Sequence, residues 1–111
     1  MDHHQALRML AVRDRAFFML VDQDQGGQPL RLGLTAQQAA LARVAALVAL
    51  DGAVASYIHV VDYALSVGVT VDELVGTLIA VMPTTGADRV VSAAPKLGLA
   101  LGYDVDAALE A

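Results

Sequence analysis

The chain has 111 residues, of which 57% are hydrophobic and only 17% charged, with a net charge of −5. That length suits one domain with its own core, and the acidic balance without any Lys/Arg cluster argues against a nucleic-acid partner. The absence of cysteine removes disulfide frameworks, thiolate metal sites and thiol redox chemistry.

In chain order, the start MDHHQALRML lacks the basic, apolar and small-residue order of a secretion signal, so a cytoplasmic protein is expected. His3 and His4 point about 100° apart on a helix, and no carboxylate or imidazole cluster joins them, so no metal site is expected. Residues 4–21 read as an N-terminal helix with Leu7, Leu10, Ala11, Phe17, Met19 and Leu20 as apolar members. The run QDQGGQP over 23–29 is polar, glycine-bearing and proline-ended, which marks a linker. Thr35 and Gln38 have the spacing of a capping box and open a second helix that runs to the Asp51-Gly52 break. Residues 53–67 form a third helix, stopped by Gly68. Thr70 and Glu73 repeat the capping box for a helix expected to end before Pro83. Thr85 with Asp88 gives a weaker start signal, and the last helix is expected to kink or restart at Pro95 and stop at Gly102. Alternating strand patterns are absent, so the fold class is all-α.

No apolar run reaches the roughly 18 residues that cross a bilayer, because Arg43, Asp51, Asp62 and Asp88 interrupt them. No membrane partner is expected. Burial between subunits is the remaining use for so much apolar surface.

The third helix carries the candidate chemistry. At about 100° per residue, Ser56, His59, Asp62, Tyr63 and Ser66 fall within an arc of roughly 120°. Apart from Tyr57 the rest of that helix is apolar. Such a stripe is either a solvated or subunit-facing strip, or the lining of a pocket. A Ser56–His59–Asp62 triad is rejected, since successive turns of one helix do not bring hydroxyl, imidazole and acid into line. Lone polar residues elsewhere admit two readings each. Arg43, inside an apolar helix, is a structural ion pair with Asp51, Asp62 or an acid of another subunit, or else an anion clamp. Arg89, near a helix start, would dock a ligand carboxylate unless Thr85 and Asp88 simply cap that helix.

Three segments in order, LTAQQAALARVAALVALDG, ALSVGVTVDELVGTLIAV and GADRVVSAAPKLGLALGYD, resemble the carboxymuconolactone decarboxylase/alkylhydroperoxidase AhpD-like superfamily over residues 34–103. The middle one carries a variant of the family's AL-x-x-G-V-T-x-E-E signature, with Ala64, Leu65, Gly68, Val69, Thr70 and Glu73 in register. The resemblance implies a helical bundle of about five to six helices, a single domain over 1–111, and a homo-oligomer, trimer or hexamer, with sites near subunit contacts. The family's reactive positions hold Leu41, Ala53, Ser56 and Val60 here, so its acid, thiolates and histidine are absent. His59 stands one residue before the histidine position, which rotates it by about 100°.

Two functional readings follow. In one, a cofactor-free lyase or isomerase acts on a small carboxylate-bearing molecule, with His59 as base, Tyr63 as proton donor, and Ser56, Arg89 or Arg43 binding the substrate. In the other, the chain is a non-catalytic oligomeric ligand-binding or assembly module on the same scaffold.

Overall fold

A computed structural model describes residues 1–23 and 31–110. Those residues form seven helices and no strand, so the all-α class holds, with more helices than the five or six expected. By internal packing the chain divides into two compact units, residues 1–39 and 40–111. The expected linker over 23–29 lies outside the described residues, apart from Gln23, the last residue of a helix.

In the first unit α1 (His3–Ala11) and α2 (Arg15–Gln23) replace the single helix expected over 4–21. Asp2 and Gln5 form a capping box at the start of α1. The break comes at Arg13, which adopts a left-handed φ of 54°. Its N–H donates to the Leu10 carbonyl, and the Asp14 N–H reaches back to the Met9 carbonyl at 2.9 Å, which closes α1 with a Schellman motif. Asp14 then caps α2 by accepting from the Phe17 N–H at 2.9 Å. Ala6 and Phe17 are the buried residues of this pair of helices.

The second unit holds most of α3 (Ala36–Leu50), then α4 (Val54–Ser66), α5 (Val71–Thr85), α6 (Ala87–Ala100) and α7 (Val105–Glu110). Both expected capping boxes are present: Thr35 with Gln38 opens α3, and Thr70 with Glu73 opens α5. The ends of α3, α4 and α6 repeat the Schellman closure. The N–H groups of Gly52, Val69 and Tyr103 return to the carbonyls of Leu47, Ala64 and Gly98 at 2.9, 3.0 and 2.8 Å. Gly68 and Gly102 supply the left-handed residue for α4 and α6, and Asp51, at φ 54°, supplies it for α3.

The end expected before Pro83 and the restart expected at Pro95 are both overturned. Pro83 lies inside α5 and Pro95 inside a continuous α6. Each proline frees the carbonyl four residues back, on Ile79 and Val91, which both sit on exposed positions that water reaches. The Thr85/Asp88 start is also corrected. Gly86 occupies the N-cap of α6 without a side-chain hydrogen bond, while Thr85 Oγ1 donates to the Val81 carbonyl. The short α7 was not expected; Asp104 opens it by accepting from the Ala107 N–H at 3.0 Å.

The hub of this unit is α6, which packs against α4, α5 and α7. Its buried positions are Ala93, Leu97 and Gly98, two of them small enough for close helix approach. The core adds Val44 and Val48 from α3, Tyr57, Val61 and Ala64 from α4, and Leu74 and Leu78 from α5. A Cβ on Gly98 would meet the Tyr103 carbonyl oxygen at 2.7 Å and Val105 Cγ2 at 2.8 Å, so the turn into α7 depends on that glycine. Gly98→Ala is therefore expected to lower unfolding free energy by about 1–3 kcal/mol, the usual cost of overpacking. Urea titration followed by circular dichroism checks this; an unchanged midpoint would show that the turn yields freely.

Candidate functional site

The central helix α4 divides cleanly into two sides. Tyr57, Val61 and Ala64 are buried, whereas Ala55, Ser56, Ile58, His59, Asp62, Leu65 and Ser66 are exposed. Spacing of three and four residues produces this split. The polar stripe is thus on the outer side. His59 and Asp62 line a shallow depression of about 360 Å³ with Ile58, Leu65 and Ala100. Ser56 and Tyr63 do not line it. Ser66 is turned locally, donating from its hydroxyl to the Tyr63 carbonyl at 2.6 Å.

Tyr63 belongs to a different neighbourhood. Its half-buried ring lies beneath the Arg43 guanidinium of α3, 5.3 Å from the ring centre. Arg43 is exposed and makes no ion pair among the described residues; the aromatic face takes the place of the carboxylate expected within the chain. An exposed cation over such a half-buried ring contributes on the order of 1 kcal/mol.

Arg89 does meet a carboxylate, and it is the chain's own. Asp51 sits in the elbow between α3 and α4 and faces a row on α6 spaced 89, 92, 96. Ser92 donates to Asp51 Oδ1 at 2.7 Å, and Lys96 donates to the same oxygen at 3.0 Å and to the Gly52 carbonyl at 2.9 Å. Arg89 Nη1 lies 3.5 Å from the other carboxylate oxygen. The Ser92 hydrogen bond, followed by the Lys96 hydrogen bond and charge, holds the Asp51 carboxyl below its usual value despite some desolvation, with Arg89 adding to the effect. Ser92 and Lys96 escaped the sequence reading, although a row at i, i+3 and i+7 on an apolar helix was the available signal.

Tyr57 was also missed, as a lone phenol on the apolar side of its helix. It is fully buried, and its hydroxyl has no hydrogen-bond partner among the described residues. Burial raises its pKa above the ordinary tyrosine value, and the negative charge of Asp51 pushes the same way.

A second concavity involves none of the expected residues. It is a groove of about 440 Å³ between α5 and α6, closed at one end by the turn into α7. Val71, Val75 and Leu78 form one wall, Leu97 and Leu101 the other, and Tyr103 and Val105 the end. Tyr103 contributes the single polar side chain of the lining, and the residue is 58% exposed. Among the described residues no group of three or more His, Cys, Asp or Glu side chains has a metal-holding arrangement. No helix among them is long and apolar enough to cross a membrane.

Compared with known proteins, the chain matches no protein-family model, no curated protein and no solved structure.

Two measurements test this geometry. Asp51→Asn keeps a residue that tolerates left-handed φ but removes the charge, so its thermal midpoint at pH 7 should fall below that of the native chain. The lowered Asp51 pKa stabilises above the unfolded value of about 3.9 and loses that contribution as pH drops through the folded value. The difference between the two proteins should therefore close in acid; a gap independent of pH would deny the ionic role. Tyr57→Phe removes the unpaired phenol while keeping the ring, and should raise unfolding free energy by roughly 1 kcal/mol in urea titration. The raised Tyr57 pKa makes native stability decline as pH rises through and above about 10, a decline the Phe variant should lack.

Proposed function

We propose that the chain is a non-catalytic, self-associating helical module, AhpD-like in architecture, that holds a small, largely apolar molecule in the α5–α6 groove. Thiol redox chemistry is outside its repertoire because it has no cysteine. The trimeric or hexameric assembly and the cytoplasmic setting belong to the same reading.

The groove is the observation that carries it. Its 440 Å³ falls within the roughly 300–1,000 Å³ common to small-molecule sites. The lining is hydrocarbon except for one phenol, so affinity would come from apolar transfer at about 25 cal/mol per Å². The Tyr103 hydroxyl, able to donate or accept, would orient a single polar group on the ligand. Self-association is supported by exposed apolar side chains on two helices: Ile58 and Leu65 on α4, and Val71, Val75, Ile79 and Met82 on α5.

The lyase reading keeps one favourable observation, that His59 and Asp62 share a depression with Ile58 and Leu65. Against it, Tyr63 stacks under Arg43 and Arg89 binds Asp51, so the expected donor and anion clamps do not converge on His59. General acid/base catalysis needs such groups within hydrogen-bond reach of one substrate.

A neutral fluorescent probe, N-phenyl-1-naphthylamine, should bind the native protein saturably. Val75→Glu places a charge in the groove wall at an exposed position and should weaken binding at least tenfold, about 1.4 kcal/mol, while Ile58→Glu should leave it unchanged. Absence of saturable binding, or equal affinity in the Val75 variant, would overturn the groove assignment. Activity toward a small carboxylate substrate that disappears in His59→Ala would instead favour the lyase.

A further inference from the structure

We propose that the outer side of α4 is a two-fold, antiparallel contact with α4 of a second copy, in which His59 of each copy meets the partner's Asp62. The inference rests on the self-association reading in its hexameric form, since a closed trimer has no two-fold axis, and names the face, the direction and the pairing that carry it.

The face consists of Ala55, Ile58, His59, Asp62, Leu65 and Ser66, spaced at intervals of three and four residues as in helices that pack along a seam. Nothing described within the second unit covers it, and Ile58 and Leu65 remain 51% and 43% exposed. Ala55 and Ser66 at its ends are small enough to admit a neighbouring helix closely. From residue 55 to residue 66 the seam is about 17 Å long at 1.5 Å per residue.

Charge selects both partner and direction. The face bears one cation-capable side chain and one acid, three residues apart, amid otherwise uncharged groups. A two-fold axis passing between residues 60 and 61 sets His59 level with the partner's Asp62, and Asp62 level with the partner's His59. Ala55 then meets the partner's Ser66, and Ile58 and Leu65 flank the charged centre on both copies. A parallel arrangement would instead oppose Asp62 to the partner's Asp62 and leave both carboxylates without a counter-charge. The pattern is thus self-complementary in the isologous sense, where residue i meets j and j meets i. An unrelated partner would need to reproduce the same spacing in reverse; a second copy does so by construction. Among the described residues, the other element at the rim of this depression is α6, which contributes Ala100 and no charge.

The test uses reversed charges on the intact chain, followed by sedimentation velocity over a micromolar to millimolar range at pH 7. His59→Glu opposes two carboxylates, and Asp62→Lys removes the carboxylate that accepts from the partner's imidazole, so either substitution alone should weaken association at least tenfold. The double variant His59→Glu/Asp62→Lys should recover it, because each introduced glutamate meets an introduced lysine. An equimolar mixture of the two single variants should recover it as well, as a heterodimer with one reversed and one native pair. Both positions are exposed, so circular dichroism of the single variants should match the native spectrum. Single variants that associate like the native chain, or a mixture that fails to recover, would overturn the antiparallel contact while leaving self-association standing. A native chain that is monomeric throughout the range would overturn both.

Discussion

The second helical unit depends on one carboxylate held at an elbow. Asp51 occupies the left-handed closing position of α3, a place that glycine fills at the ends of α4 and α6. A glycine there would close the helix equally well but could not reach Ser92, Lys96 and Arg89 on α6. Lys96 extends the tie by donating also to the Gly52 carbonyl, so backbone and side chain of the elbow are held together. That fixes where α4 begins relative to α6. Within the first two or so turns of α4, Tyr57 and Val61 are committed to the core and the opposite side is committed to the exterior. The elbow also explains the unusual electrostatics of Tyr57, which feels both burial and the nearby acid.

The all-helical class and most helix starts were legible in the sequence because a capping box is a local device. Thr35 with Gln38 and Thr70 with Glu73 satisfy each other's backbone groups whatever surrounds them. Glycine stops were legible for the same reason. Features that depend on context were not. Arg13 takes left-handed φ without being glycine, and nothing in its residue type announces the break it makes between α1 and α2. Pro83 reads as a helix end and Pro95 as a kink or restart, yet α5 and α6 each run on through their proline, with the residue four back, Ile79 or Val91, at an exposed position.

The candidate site shows the same division. Periodicity correctly grouped Ser56, His59, Asp62, Tyr63 and Ser66 on one arc of α4, but it could not say what lies beside that arc. An arc of roughly 120° on a helix is wide enough to meet several neighbours. Toward one edge Tyr63 is taken by Arg43 of α3; His59 in the middle and Asp62 at the other edge look outward; Arg89, on α6, is consumed at the elbow. Residues that share an arc need not share a pocket. The groove that does form a pocket is built from α5, α6 and the α7 turn, whose residues read as ordinary core because only Tyr103 among them is polar.

Why so apolar a chain leaves hydrophobic side chains outside follows from the position of α6. Within the second unit it is the helix packed by α4, α5 and α7, while α4 and α5 each bury one side against the unit's core and turn another outward. A single layer of helices around one hub cannot cover both sides of its outer members. The remaining apolar positions, Ile58 and Leu65 on α4 with Val71, Val75, Ile79 and Met82 on α5, recur at helical spacing rather than at random. That regularity is what a further layer of helices requires, and at α4 an imidazole at 59 and a carboxylate at 62 interrupt an otherwise uncharged strip. Apolar burial supplies a drive to associate but is indifferent to direction; the proposed seam takes its direction from that acid and that imidazole, three residues apart.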